Sequence, residues 1–136
     1  MNALFLLKPK ADVALLYDDN TMRRGLELMR KQGYTAIPVI TREGDYIGSI
    51  SEGDFLWHMV DSEVLGVKTL ETTLVRDAIR KDWIPSVRVD VTMEELLDRA
   101  TRQNFVPVTD DRNKFIGIIT RRDIITYFKD KFTDED

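Results

Sequence analysis

A block of residues occurs twice in this chain in one register. Ile37-Pro38-Val39 returns as Val106-Pro107-Val108, and Tyr46-Ile47-Gly48-Ser49-Ile50-Ser51 returns as Phe115-Ile116-Gly117-Ile118-Ile119-Thr120. Asp54 returns as Asp123, and the paired prolines, glycines and aspartates all lie 69 positions apart. Further on, Phe55, Leu56 and Met59 align with Ile124, Ile125 and Phe128. A proline, a glycine, a hydroxyl and a carboxylate kept in step identify two copies of one supersecondary unit. The copies divide the chain into repeats over 1–66 and 67–136.

Each copy reads as strand–helix–strand–strand–helix, an α+β (α/β) unit of β-α-β-β-α order. In the first, Val13 to Tyr17 is a short apolar strand, and Asn20 or Thr21 can cap the helix that follows. Met22, Leu26 and Met29 recur at helical spacing on one apolar face, and Gly33 stops the helix. Ala36 to Ile40 and Tyr46 to Ser51 are strands about a turn at Arg42-Glu43-Gly44-Asp45, and a helix runs from Glu52 to Val60. In the second, Ile84 to Val89 is the strand and Thr92-Met93-Glu94-Glu95 is a capping box. Met93, Leu96, Leu97 and Ala100 are expected in the core. Phe105 to Val108 and Phe115 to Thr120 form the hairpin, followed by a helix carrying Ile124, Ile125 and Phe128. The polar join from Asp61 to Glu71 reads as a linker. Leu74, Val75, Ala78 and Ile79 read as a short helix introducing the second repeat, with Leu4 to Leu7 as its counterpart in the first. The tail Asp134-Glu135-Asp136 is expected to fray. Neither repeat is long enough for much core of its own, so the two are expected to pack as one pseudo-symmetric unit.

The inventory of reactive groups is thin. Cysteine is absent, which excludes disulfides and cysteine nucleophiles, and the one histidine, His58, sits in Phe55-Leu56-Trp57-His58-Met59-Val60. That setting describes a packed or half-exposed helical histidine rather than a base. Neither a Gly-x-x-x-x-Gly-Lys loop nor a Gly-x-Gly-x-x-Gly turn occurs. A net charge of −4 and a pI near 5.1 argue against a nucleic-acid polymer as partner. No apolar run reaches membrane-spanning length, and the start does not read as a signal peptide. The cytoplasm is the expected compartment.

The pattern apolar-Pro-Val, hairpin, apolar-Gly-apolar-apolar-Ser/Thr-x-x-Asp, helix resembles the cystathionine-β-synthase (CBS) domain. Two such domains in tandem form a Bateman module, and the resemblance runs from about Leu4 to Lys131. It implies adenine-nucleotide binding in the cleft between repeats, regulation of another protein and no catalysis. It places a phosphate-facing hydroxyl at Ser51 and Thr120 and a ribose-binding carboxylate at Asp54 and Asp123. The adenine edge would be read by Thr35, Ala36, Ile37 and Pro38 with Asp12, Val13 and Ala14. In the other copy it would be read by Asn104, Phe105 and Val106 with Ile84, Pro85 and Ser86.

The two implied sites differ. The second copy is about two residues shorter before its proline and lacks the glycine, and Phe105 is placed to fill the base position. The set Ser51, Asp54, Pro85, Ser86, Phe105 and Val106 is therefore expected to be a degraded second site. The working site combines Asp12, Val13, Ala14 and Thr35 to Pro38 with Thr120, Arg121, Arg122 and Asp123. Tyr34-Thr35-Ala36, the shortened second loop and Thr120-Arg121-Arg122 are similar to stand-alone CBS pairs of Gram-positive bacteria that bind cyclic di-AMP. The arginines suit two phosphates, and one could lie on a purine. Asp12 stands where a lysine would suit the ligand, which keeps AMP and ATP open. No metal and no cofactor beyond the nucleotide is implied. The resemblance further implies a homodimer, with Phe55, Met59, Ile124 and Phe128 as candidate seam residues, and a regulated partner protein in trans. The alternative is a ligand-free CBS-pair interaction module.

Overall fold

The computed structural model describes residues 3–63, 66–80 and 82–134. A 3-10 turn (Ala3–Leu6) leads into β1 (Lys8–Pro9) and a second 3-10 turn (Lys10–Asp12). Then come β2 (Leu16–Tyr17), α1 (Met22–Gln32), β3 (Ala36–Ile40), β4 (Tyr46–Ser51) and α2 (Glu52–Ser62). α3 (Val67–Thr72) and α4 (Val75–Ala78) precede β5 (Val87–Arg88), α5 (Met93–Ala100), β6 (Phe105–Thr109), β7 (Phe115–Thr120) and α6 (Arg121–Asp134). No helix among the described residues is long and apolar enough to cross a membrane.

The chain forms two compact units, one from Ala14–Trp83 and the other from Met1–Val13 with Ile84–Asp136. In the first, β2 runs parallel to β3 and β3 antiparallel to β4. Thr21 caps α1 by accepting a hydrogen bond from the Arg24 amide at 3.2 Å, and Gly33 ends it at φ 70°. Met22, Leu28 and Met29 pack with Leu16, Ile37, Val39, Ile50, Phe55 and Val75 into a core. In the second unit the strand order is β1-β7-β6-β5. Val87, Val91, Leu96, Ala100, Val106, Val108, Ile119 and Ile124 form its core, closed by Ala3. The same register shift interrupts both hairpins, at Val39/Ile40 and Val108/Thr109, so the repeat extends to local backbone detail.

Compact units and sequence repeats have different bounds. Leu4, Leu6 and Leu7 pack against the second repeat's core, and Val75, Ala78 and Ile79 belong to the first's. The expected introducing segments are thus exchanged, and each repeat gains a core of its own that its length alone does not supply. The join is also not an extended linker. α2 continues to Ser62, and α3 returns along α1, with the Met22 amide bonded to the Thr73 carbonyl at 2.8 Å. The leading strands shrink to Leu16–Tyr17 and Val87–Arg88 because only two residue pairs of each meet their neighbour. Leu97 and Ile125 face outward, 44% and 52% exposed, against the expectation for Leu97 of a core position. Of the proposed seam, Phe55 and Ile124 are fully buried and Met59 and Phe128 pack on the cores, so the exposed apolar residues of α2 and α6 are others. At the tail, α6 reaches Asp134, and residues 135 and 136 lie outside those described.

The repeated glycine explains the exchange. Pro9 sits opposite Gly117 on the outer edge of β7, and a Cβ at Gly117 would overlap the Lys8 carbonyl oxygen. At the corresponding Gly48, a Cβ would come 3.0 Å from Ile79 Cδ1, and Ser49 bridges to Arg80 beside it. Gly117 thus lets the Lys8–Pro9 backbone lie against β7, a close approach that any side chain blocks, whereas the tight neighbour of Gly48 is the Ile79 side chain. Gly117→Ala is expected to destabilise the chain by about 2–3 kcal/mol in urea or thermal unfolding. Gly48→Ala should cost less, because its neighbour is the tip of a movable side chain.

Acid should weaken the same fold. Asp110 Oδ1 accepts hydrogen bonds from the Arg112 and Lys114 amides at 2.8 and 2.9 Å, and these bonds hold its carboxyl below the usual carboxylate range. Asp19 is held low by its hydrogen bonds to Arg42. A carboxyl with a lowered folded-state pKa contributes stability above its unfolded pKa and loses it as pH falls through the folded value. The melting temperature should therefore drop between about pH 5 and pH 3, and Asp110→Ala should make that drop shallower.

Candidate functional site

In each repeat the third strand ends in a hydroxyl that becomes the cap of the next helix. Ser51 Oγ accepts from the Asp54 amide at 3.2 Å, and Thr120 Oγ1 accepts from the Asp123 amide at 3.1 Å. A capping hydroxyl still holds a proton to donate outward. Strand pairing puts Ala36 opposite Ser51 and Phe105 opposite Thr120. The base-edge residues and the hydroxyl–carboxylate pair of one repeat therefore share one end of its sheet.

The two carboxylates have different fates. Asp54 is buried at 7% exposure. One of its oxygens accepts from the Ser51 amide at 2.8 Å, completing a reciprocal capping box, and the other pairs with Arg80 Nε at 2.5 Å. Arg80 also lies over the Trp83 ring at 4.0 Å. The Ser51, Asp54 and Arg80 side chains line a cleft of about 470 Å³ together with Gly53, Trp57 and His58. Asp123, by contrast, is exposed, and no group among the described residues pairs with its carboxylate. The capping box expected at Thr92 is only half made: Thr92 accepts from the Glu95 amide at 3.1 Å, with no return bond from the Glu95 side chain among the described residues.

The arginines divide as well. Arg121 Nε donates to the Ala100 carbonyl at 2.8 Å, and the Arg121 amide to the Asn104 carbonyl at 2.9 Å. Arg121 thereby ties the start of α6 to the end of α5, satisfying a carbonyl the helix leaves open. Arg122 is exposed, and no partner holds it among the described residues.

The loops before the two prolines also differ. After α1, Gly33 turns the chain outward, leaving Tyr34 and Thr35 exposed before Ala36, with Ile37 and Pro38 buried. No side chain among the described residues bonds the Ala14 or Ala36 carbonyl. Asp12 is exposed at the end of its 3-10 turn, and Val13 and Ala14 are half-buried. After α5, no glycine releases the chain. Thr101 stays helical, and the Arg102 and Gln103 amides both bond to the Arg99 carbonyl, at 3.0 and 2.9 Å. The tight turn tucks Gln103 inward to 4% exposure. Its Nε2 donates to the Phe105 carbonyl at 3.2 Å and the Pro85 carbonyl at 3.4 Å, and Arg99 donates to Pro85 at 2.7 Å. Phe105 and Val106 are buried, Ser86 is half-buried and Pro85 is exposed. Arg80 and Arg99 carry no signal in the sequence. Gln103 belongs to the shortened loop and stands where the first repeat has its glycine turn.

The CBS-domain profile matches residues 7–61 and 75–130. The chain belongs to the CBS-domain family, with two CBS repeats of the kind that make up a Bateman module. It is 32% identical over 118 residues to the inosine-5'-monophosphate dehydrogenase of Methanocaldococcus jannaschii, covering 84% of this chain but only 21% of that enzyme. It thus spans about a fifth of the dehydrogenase's length. Among solved structures, CbpB in complex with c-di-AMP superposes with a TM-score of 0.90 at 27% identity, covering 100% of this chain and 91% of that one. Listeria monocytogenes CbpB, also in complex with c-di-AMP, superposes with a TM-score of 0.77 at 25% identity over 96% of each chain.

The split between the arginines is measurable without ligand. Arg121→Ala should lower stability by about 1 kcal/mol through the lost bond to Ala100. Arg122→Ala should stay within about 0.5 kcal/mol of the parent in the same urea titration.

Proposed function

We propose that this chain is a non-enzymatic sensor of adenine nucleotides, taking cyclic di-AMP first and AMP or ATP as the alternative. The observation that carries the reading is the trio at the head of α6. Thr120 has a hydroxyl proton to give, and Arg122 and Asp123 have a guanidinium and a carboxylate without partners among the described residues. An ionised carboxylate accepts from both hydroxyls of a ribose. A guanidinium suits a phosphate. Two exposed, opposite charges without partners among the described residues, two and three positions from a capping hydroxyl, serve no purpose in packing. The likeness to CbpB, which is seen in complex with c-di-AMP, supports the same ligand class.

In this reading Thr35, Ala36, Ile37 and Pro38, with Asp12, Val13 and Ala14, meet the base. Arg121 gives its Nε–H to α5 and keeps its other guanidinium N–H groups for a phosphate. Signalling runs in trans from a cytoplasmic homodimer to a partner protein. The exposed Leu56, Trp57 and Val60 of α2 and Ile125 and Phe132 of α6 offer apolar surface for such contacts. The same surface favours the alternative, an interaction module that binds no ligand.

Calorimetry on ligand-stripped protein decides between them. Asp123→Ala should weaken nucleotide binding by roughly 1–3 kcal/mol, and Arg122→Ala should weaken cyclic di-AMP more than AMP. If no adenine nucleotide gives heat or raises the melting temperature, the interaction module replaces the sensor.

A further inference from the structure

α2 and α6 are equivalent helices of the two repeats, and their outer faces are built differently. Trp57, Val60 and Ser62 of α2 stand where α6 has Thr126, Lys129 and Lys131. Leu56 has its counterpart in Ile125, but one turn further on Leu56 meets Val60, whereas Ile125 meets Lys129. Leu56, Trp57 and Val60 are all exposed, Trp57 by 65%, so α2 presents an apolar strip where its twin interleaves cations. Charge departs in the same direction. α2 contains no lysine or arginine, and Asp61 and Glu63 stand at its C-terminal end, where the helix dipole favours a cation. α6 follows that rule with Lys131 in its last turn.

Trp57, His58 and Asp61 of α2 also line the cleft of about 470 Å³ together with Asp77 and Ala78 of α4. Arg80, the cation that lines it, is held by Asp54 and the Trp83 ring, and no cation among the described residues pairs with Asp61, Glu63 or Asp77. An exposed indole gives a partner contact area and a face for a cation, and the carboxylates beside it give that cation its counter-charge. We propose that Leu56, Trp57 and Val60, with Asp61, Glu63 and Asp77, form the docking face for the regulated partner protein, and that a basic amphipathic segment of that partner docks there. Its apolar side chains would cover the strip, and a lysine or arginine would lie between Trp57 and the carboxylates. The same face on a second copy does not fit, because pairing would set Asp61 and Glu63 against their own like charges.

The inference rests on the sensor reading for the existence of a partner, and separate measurements tell their failures apart. The probe is an amphipathic helical peptide of leucine and lysine, titrated into the full chain carrying Trp83→Phe, so that Trp57 alone reports. Trp57 emission should shift to the blue and saturate, and a peptide of leucine and glutamate should leave it unmoved. Asp61→Lys with Glu63→Lys should weaken the basic peptide about tenfold, and Leu56→Ser with Val60→Ser should do the same. Glu43→Lys with Asp111→Lys, the same change of charge on the two hairpin turns, should leave the affinity unchanged. Equal losses from the two lysine pairs mean attraction to net charge alone and overturn the proposal, as does a basic peptide that leaves Trp57 unmoved. Light scattering follows the same variants. If Leu56→Ser with Val60→Ser turns a dimer into monomers, the strip belongs to a second copy, and the proposal is overturned. A chain that binds the peptide but no adenine nucleotide keeps the docking face and overturns the sensor, and one that binds nucleotide but no peptide does the reverse. Circular dichroism melts accompany each titration, and the strip and turn variants should melt with the parent because each substituted side chain is exposed.

Discussion

An edge strand carries a row of N–H and C=O groups that must find partners, and in this chain both third strands are edges. Their partners come from the segment that precedes the other repeat. Lys8–Pro9 pairs with β7, and the Ile79–Arg80 stretch lies along β4. The docking on β7 needs the glycine at 117, because a Cβ there would overlap the Lys8 carbonyl, and at Gly48 the equivalent space is taken by the Ile79 side chain. The exchange of segments closes the two cores and places Arg80 beside β4.

That docking sets the asymmetry of the site groups. The stretch laid against β4 delivers Arg80 to Asp54, whereas the stretch laid against β7 carries Lys8 and Pro9 and delivers no cation to Asp123 among the described residues. A second asymmetry arises at the ends of α1 and α5. Gly33 takes the left-handed conformation and sends the chain outward, and the glycine-less end of α5 curls on and buries Gln103. Among the described residues each repeat thus has one open and one self-bonded group: the first bonds its Asp54 carboxylate and leaves the Ala14 and Ala36 carbonyls without a side-chain partner, and the second does the reverse with Asp123, Pro85 and Phe105.

The register of the sequence already pairs Asp54 with Asp123, and the shortened second loop already sets the two copies apart. Phe105 is buried, as its bulk suggested, and Gln103 and Arg99 bond the carbonyls beside it, which no local pattern announced. Of the two arginines after Thr120, both expected at phosphates with one able to lie on a purine, Arg121 gives its Nε–H to α5 and Arg122 has no partner among the described residues. Adjacent helical residues point about 100° apart, so a pair of like charges seldom shares one task.

Sequence alone determined the helices and hairpins common to the two repeats, their order and the pairs of equivalent residues, because periodicity, capping and turn chemistry act over a few neighbouring positions. Thr21, Gly33, Pro38 and Pro107 report on their own surroundings and do so in any fold. Which repeat Leu4 to Leu7 would close, whether Asp54 would find a cation and where Gln103 would point depended on contacts between segments far apart in the chain. Arg80 bonds a residue twenty-six positions away, and Gln103 a carbonyl eighteen positions away. No local pattern encodes such a meeting, so only the tertiary structure decided it.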